Sequence, residues 1–171
     1  MKLIGACILL FSATMLGFHT ATRYAKRPQQ IRELGIALQL LETEICYGAT
    51  ALPLALDYVS KRARGEVGRL FQQAAQRLLA EDGRSTAECW EQAVEQVWSS
   101  MTMKKAEKEI MLHLGSVLGK SEKEDQRKHI RLTLMNLQQE EMVARDEQQK
   151  YEKMCRSLGI LGGILAVILM Y

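Results

Sequence analysis

The run Ser157-Leu-Gly-Ile-Leu-Gly-Gly-Ile-Leu-Ala-Val-Ile-Leu-Met-Tyr171 closes the chain and contains no charged residue. It follows directly from a charged helical pattern that starts at Ser121 and has no glycine or proline before Gly159. Ser121 with Glu124 predicts a capping box, because the hydroxyl and the carboxylate each pair with an N–H that the first helical turn leaves free. The sequence therefore predicts one long helix that leaves a soluble domain and enters a bilayer.

The terminal run is short for a membrane span, since residues 157–171 would cover roughly 22 Å of a hydrocarbon core about 30 Å thick. Apolar residues just before it and snorkelling of the Arg156 side chain toward the headgroups recover part of the difference. Gly159 and Gly163 form a GxxxG pair in this run. The pair predicts either close packing with another helix or an anchor that merely tolerates glycine.

A second uncharged stretch, Leu3 to Thr22, is about long enough to span a bilayer. A cleaved secretory signal peptide is the alternative interpretation. It is disfavoured because His19 stands where an A-x-A cleavage pattern ending at Ala21 requires a small residue. We therefore expect an uncleaved anchor in residues 1–22.

Basic residues predict the orientation of both apolar segments. Only Lys2 precedes the first segment, and the basic residues next to the segments on their inner sides are Arg23, Lys26, Arg27, Arg32, Lys150, Lys153 and Arg156. By the positive-inside rule, the middle of the chain lies in the cytoplasm and both termini face outward. The chain then belongs to a cell membrane.

The charge balance and the cysteines agree with this arrangement. The net charge is +3, and without Lys2 the chain has 22 basic and 20 acidic residues, which is too balanced for a nucleic-acid-binding protein. Basic residues concentrated beside the membrane favour contact with anionic lipid. The four cysteines are scattered without a C-x-x-C pair, as expected of reduced thiols.

Between Arg23 and Arg156, apolar residues recur every three or four positions, which is the period of amphipathic helices. Turn signals divide this region into six helices; they are Gly48, Gly65, Asp82-Gly83, Thr102 and Gly119, with a second capping box at Ser85 and Glu88. No segment has the pattern of a strand. The predicted fold is all-α, with a cytosolic helical bundle in residues 23–156 between transmembrane helices in residues 1–22 and 157–171.

The sixth helix has an apolar stripe that ends near Ala144, and the residues from there to Lys150 are polar on every side. The i,i+4 pair of Glu141 and Arg145 favours helix even without a core behind it. We expect this stretch to form a stalk above the membrane. A helix lying flat on the bundle is the alternative.

No catalytic, cofactor or metal site is expected. The segment from Gly115 to Ser121 is one residue short of a phosphate-binding loop and follows a helix, where that motif needs a strand. His19, His113 and His129 lie in different predicted elements and lack the spacing of metal ligands. No small-molecule substrate is therefore expected.

Several segments in chain order resemble the stage III sporulation protein AB family of endospore-forming bacteria. They are Arg27-Pro28-Gln-Gln-Ile31-Arg32, Leu41-Glu42-Thr43-Glu44-Ile45-Cys-Tyr47-Gly48, Trp90, Leu114-Gly115 with Leu118-Gly119, and Lys150-Tyr-Glu-Lys-Met154 with Arg156-Ser-Leu-Gly159. The resemblance covers essentially the whole chain, including both apolar segments.

The resemblance implies a platform or scaffold in a secretion-like channel between mother cell and forespore. Its cytosolic domain would be similar to the platform protein of type II secretion and type IV pilus machines. The implied partners are a secretion-type ATPase and other stage III sporulation membrane proteins, in the mother-cell membrane around the forespore. The alternative is a membrane-anchored signalling or structural helix bundle without a secretion role.

For contact with such a partner we select Arg32, Glu42, Glu44 and Tyr47, which lie in two of the resembling segments. Glu42 and Glu44 flank the apolar stripe of the first helix, so a purely solvated role is the alternative for both. Gly159 and Gly163 are the residues selected for transmembrane packing.

Overall fold

The computed structural model describes residues 25–48, 50–80, 83–119 and 123–170. Within these ranges the chain forms six α-helices and no β-strand, which confirms the predicted all-α fold. The first helix, α1, covers residues 25–46. The others are Leu52–Arg62 (α2), Gly65–Leu79 (α3), Thr86–Trp98 (α4), Lys105–Val117 (α5) and Lys123–Met170 (α6).

Successive helices run up and down, and each helix from α2 to α6 packs against the next. Helix α1 is antiparallel to α6, because Arg32 pairs with Glu141 at 3.0 Å and Glu42 pairs with Arg131 at 2.7 Å. One end of the bundle, the exit end, therefore holds the start of α1, the α2–α3 and α4–α5 turns, and the place where α6 leaves. The opposite end, the far end, holds the α1–α2 turn and the start of α6.

Trp90 of α4 lies at the centre of the core and is 1% exposed. Its ring meets Phe71 edge-on at 5.8 Å, and its Nε1 donates a hydrogen bond to the Met111 carbonyl at 2.7 Å. A Cβ at Gly115 would overlap the Trp90 ring, so α5 can approach α4 this closely only with glycine there. The expectation that Gly115 serves close packing is confirmed.

The predicted turn signals are largely correct. Ser85 and Glu88 form the capping box, with hydrogen bonds of 2.9 and 3.3 Å between each side chain and the other residue's N–H. Gly119 ends α5 with φ of +78°, a left-handed conformation that glycine adopts without a steric cost. Gly65 was predicted to close α2, but it is the first residue of α3. The Ser121 capping box lies outside the described residues.

Two predicted helix faces are rotated by about one residue. In α2, Leu54 is 55% exposed, because Ala55, Leu56 and Val59 take the inward positions. In α5, the predicted Ala106 is exposed and Glu107 is buried instead. An ion pair with α1 turns this face of α5 inward.

The two predicted anchors remain predictions. Residues 1–22 lie outside the described residues. The backbone of α6 is helical without a break to Met170, so the predicted continuity across Ser157 is confirmed. Within the part of the chain that the structure describes, no helix is both long enough and apolar enough to cross a bilayer.

Candidate functional site

Arg27, in the first turns of α1, is the centre of an ion network at the exit end and is only 3% exposed. Its Nε donates to Glu107 Oε1 at 2.7 Å and its Nη1 donates to Glu147 Oε2 at 2.7 Å. Its Nη2 donates to Glu140 Oε2 at 3.2 Å. One guanidinium thus connects α1 to a carboxylate of α5 and two carboxylates of α6.

Arginine suits this position because its planar guanidinium offers several donors in a fixed fork. Glu107 is fully buried, and its second oxygen accepts the Lys104 backbone N–H at 2.9 Å. That N–H belongs to the start of α5, where the helix dipole also favours a negative charge. Both oxygens of the buried carboxylate are therefore hydrogen-bonded.

Lys104 extends the network to the surface, where its Nζ donates to both oxygens of Glu147 at 2.7 Å. This hydrogen bond is the main cause that lowers the pKa of Glu147, and it outweighs the opposing effect of burial. Arg27 lowers the same pKa further. Two cations and three carboxylates therefore hold α1, α5 and α6 together where α1 begins and α6 leaves.

The sequence analysis missed this network, because it counted Arg27 only as a basic residue near the membrane. A signal was present at Glu107, which stands four residues after Met103 and four before Met111. Both methionines are buried, so the apolar face of α5 carries a carboxylate in its middle. An acid on an apolar helix face requires a buried cation, and the sequence alone does not say which one.

The four selected partner residues fall into two groups. Glu42, Glu44 and Tyr47 lie at the far end, where Glu42 pairs with Arg131 and Glu44 accepts a hydrogen bond from Thr50 Oγ1 at 3.0 Å. Tyr47 is 74% exposed. Arg32 lies ten residues earlier in α1, roughly 15 Å away along the helix axis. A role for these four in partner binding stays a prediction.

Arg32 takes part in a second ion cluster with Glu141, which also accepts Arg145 Nη2 at 2.6 Å. Burial acts to raise the pKa of Glu141, but the hydrogen bonds from Arg145 and Arg32 outweigh it, so the pKa is lowered. The cluster lies on the side of α6 that faces α1. It shows that the stretch predicted to be polar on every side is packed against α1 at Glu141.

The far end also carries exposed apolar side chains beside charged ones. Leu132 and Met135 of α6 are 46% and 64% exposed and line a shallow groove with Arg127 and Arg131. The hydrogen bond from Arg131 to Glu42 is the main cause that raises the pKa of the guanidinium. The sequence analysis followed only the inward stripe of α6 and did not identify this outward pair.

The histidines and cysteines form no evident chemical site. His113 and His129 lie with their ring centroids 6.5 Å apart, a proximity that the sequence did not indicate. In the described part of the chain, no group of three or more His, Cys, Asp or Glu residues could hold a metal ion. Cys46 and Cys89 are free thiols, as expected. Gly159 and Gly163 lie within the helical backbone of α6.

Comparison with known proteins identifies the family. The profile of stage III sporulation protein AB matches residues 2–171. The chain belongs to the stage III sporulation protein AB family. Stage III sporulation protein AB of Bacillus subtilis (strain 168) is 40% identical over 171 residues, covering 99% of both chains.

A solved structure of stage III sporulation protein AB has a TM-score of 0.69 and 37% identity. The match covers 73% of this chain and 98% of that chain, so the solved relative consists almost entirely of the matched part. The family predicted from the sequence is therefore confirmed, and with it a role in sporulation.

Proposed function

We propose that this chain is a membrane-anchored platform of a secretion-like channel between mother cell and forespore, and that it docks a secretion-type ATPase. The observation that carries the proposal is the position of the two chain exits. The start of α1 and the departure of α6 share one end of the bundle, and α6 continues as a helix through the apolar run to Met170. The far end is then free to receive a partner from the cytoplasm.

The charges at the exit end support a position against anionic lipid. The α2–α3 turn lies at this end and carries the exposed Lys61, Arg62 and Arg64. Helix α1 adds the exposed Lys26 close to the same level. Each basic residue near an anionic surface contributes about 1 kcal/mol of attraction, so these four side chains add to the hold of the apolar segments.

The far end supports the docking part of the proposal. Tyr47 projects there with most of its surface exposed, next to the charged pair of Glu42 and Arg131 and the apolar Leu132. Exposed aromatic and apolar side chains beside arginine are typical of the centres of protein interfaces. A secretion-type ATPase that docks on this surface would cover the tyrosine and leave the exit end against the membrane.

The test is co-purification of the full-length chain with the secretion-type ATPase of the same sporulation system, in detergent or reconstituted vesicles. Tyr47→Ala is expected to weaken binding at least about tenfold, because a buried aromatic contact in an interface centre is worth 2 kcal/mol or more. Tyr58→Ala is the matched control, since Tyr58 of α2 packs under Arg62 near the exit end.

Unchanged binding of Tyr47→Ala would remove the far end as the docking surface. No binding of the unmodified chain in either format would reject ATPase docking altogether. That result would favour a signalling or structural bundle without a secretion role. Thiol labelling of single cysteines in residues 49–120 checks the cytoplasmic position of the bundle, which requires labelling from the cytoplasmic side.

A further inference from the structure

Helices α1 and α6 keep one antiparallel register along the bundle. Arg32 pairs with Glu141 and Glu42 pairs with Arg131, and the residue numbers of each pair total 173. Near the exit end, Ala25 of α1 lines the same groove as Gln148 of α6, again at a total of 173. The two helices therefore advance together without a change in relative position.

Beyond this groove α6 continues alone among the described residues. Glu152, Lys153 and Met154 are exposed, and the helix extends 22 residues past Gln148 to Met170. The chain before Ala25 contains 24 residues. At about 1.5 Å per residue, a helix of that length would reach the end of α6 to within a turn.

The rotation of α6 shows which side of its far portion faces the direction of α1. Eighteen residues make about five helical turns, so residues that far apart lie on the same side of a straight helix. Glu141 faces α1, and Gly159 stands eighteen residues after it. Arg145 lines the groove with α1, and Gly163 stands eighteen residues after it.

The same spacing relates the N-terminal stretch to α1. Ile31 and Gly35 line the groove that α1 forms with α6, and Ala13 and Gly17 precede them by eighteen residues. The stretch therefore has small residues at the positions that would meet α6 if α1 continued backward. Small residues on both sides allow two helices to approach closely, which is how helices associate within lipid.

We propose that residues 3–22 pack antiparallel along the side of α6 that carries Gly159 and Gly163, in the register that α1 and α6 already share. The occupant of the glycine face is thus the same chain and not a second copy. The proposal depends on the α1–α6 contact and does not rest on the ATPase-docking function. It resolves the GxxxG pair as an intramolecular packing site.

Disulfide cross-linking of the full-length chain in its membrane tests this pairing. The four native cysteines are replaced by alanine, and a protease site is placed in the turn between α3 and α4. Ala13→Cys is combined with Gly159→Cys, a pair whose residue numbers total 172. The matched control combines Met15→Cys with Gly159→Cys, which keeps the depth but moves the first thiol to the other side of its helix.

After oxidation and proteolysis, the Ala13 pair is expected to hold the two halves together on a non-reducing gel at least about fivefold more than the Met15 pair. A disulfide needs Cα atoms within about 7 Å, which opposite helix sides do not provide. Leu10→Cys with Gly163→Cys repeats the test one turn on, against Ser12→Cys with Gly163→Cys. Equal linking of test and control pairs, no linking in either test pair, or linked dimers in place of linked halves would each overturn the proposal.

Discussion

Substitution of Arg27 is the sharpest test of the architecture, because one side chain connects three helices at the exit end. Arg27→Ala removes the guanidinium that binds Glu107, Glu140 and Glu147. Glu107 then stays buried with only the Lys104 backbone N–H as a partner. The other two carboxylates can turn to water, because their side chains are 25% and 30% exposed.

The expected loss in the free energy of unfolding follows from that difference in burial. Removing one partner of a buried ion pair costs about 3–5 kcal/mol, because a charge is left in the interior without compensation. The two half-exposed pairs add less than about 1 kcal/mol each. A loss of about 4 kcal/mol is a large part of the ~5–15 kcal/mol that stabilises a domain of this size.

Urea denaturation of a fragment covering residues 25–152, followed by circular dichroism at a helical wavelength, measures this loss. With an m-value of about 2 kcal/mol per molar, the midpoint should fall by about 2 M. Arg69→Ala is the control, since Arg69 is 68% exposed beside Glu66 and its loss should change stability by less than about 0.5 kcal/mol.

A double-mutant cycle then separates the ion pair from the packing of the side chain. Arg27→Met with Glu107→Met should be more stable than Arg27→Met alone, because the double variant leaves no unpaired buried carboxylate. A loss below about 1 kcal/mol for Arg27→Ala, or a double variant no better than the single one, would refute the reasoning.

Three further predictions concern packing, pH and thiol chemistry. Gly115→Ala should lower the thermal midpoint of the fragment by several degrees, because the new Cβ overlaps Trp90, whereas Gly35→Ala, whose Cβ would lie 3.8 Å from Leu134, should cost far less on the α1 side. The pKa values of Glu141 and Glu147 are lowered in the folded chain, so their stabilisation is present above the unfolded pKa of about 4.3 and is lost as the pH falls through the folded values. The urea midpoint should therefore drop between about pH 5 and pH 3, and Glu147→Gln should show a smaller drop; equal drops would contradict this assignment. Burial, followed by the charge of Glu42, raises the pKa of the Cys46 thiol, so its alkylation at neutral pH should be slower than that of a free cysteine and faster in Glu42→Gln, as followed by mass spectrometry.

The number and order of the helices could be predicted because their signals are local. The Ser85 capping box and Gly119 each act within one turn of the residues that they affect. The long sixth helix was equally readable, since nothing interrupts it before Gly159. The family followed from blocks of residues in order, and the profile match over residues 2–171 confirms it.

The ion network could not be predicted because its partners are far apart in the chain. Arg27 and Glu107 are separated by 80 residues, and Glu42 and Arg131 by 89. Periodicity identifies a helix face but not the residue that faces it on another helix. A charged residue therefore reads as solvated until the packing is known, which is how Arg27 was interpreted.

Helix α6 also has a mechanical consequence. Its 48 residues form one element about 72 Å long, fixed to the bundle near its middle by the Arg27 network. A rod held at such a pivot turns a small tilt at one tip into a displacement at the other. A tilt of about 5° over the full length moves a tip by roughly 6 Å, so a motor that pulls at Arg131 would be felt at Met170.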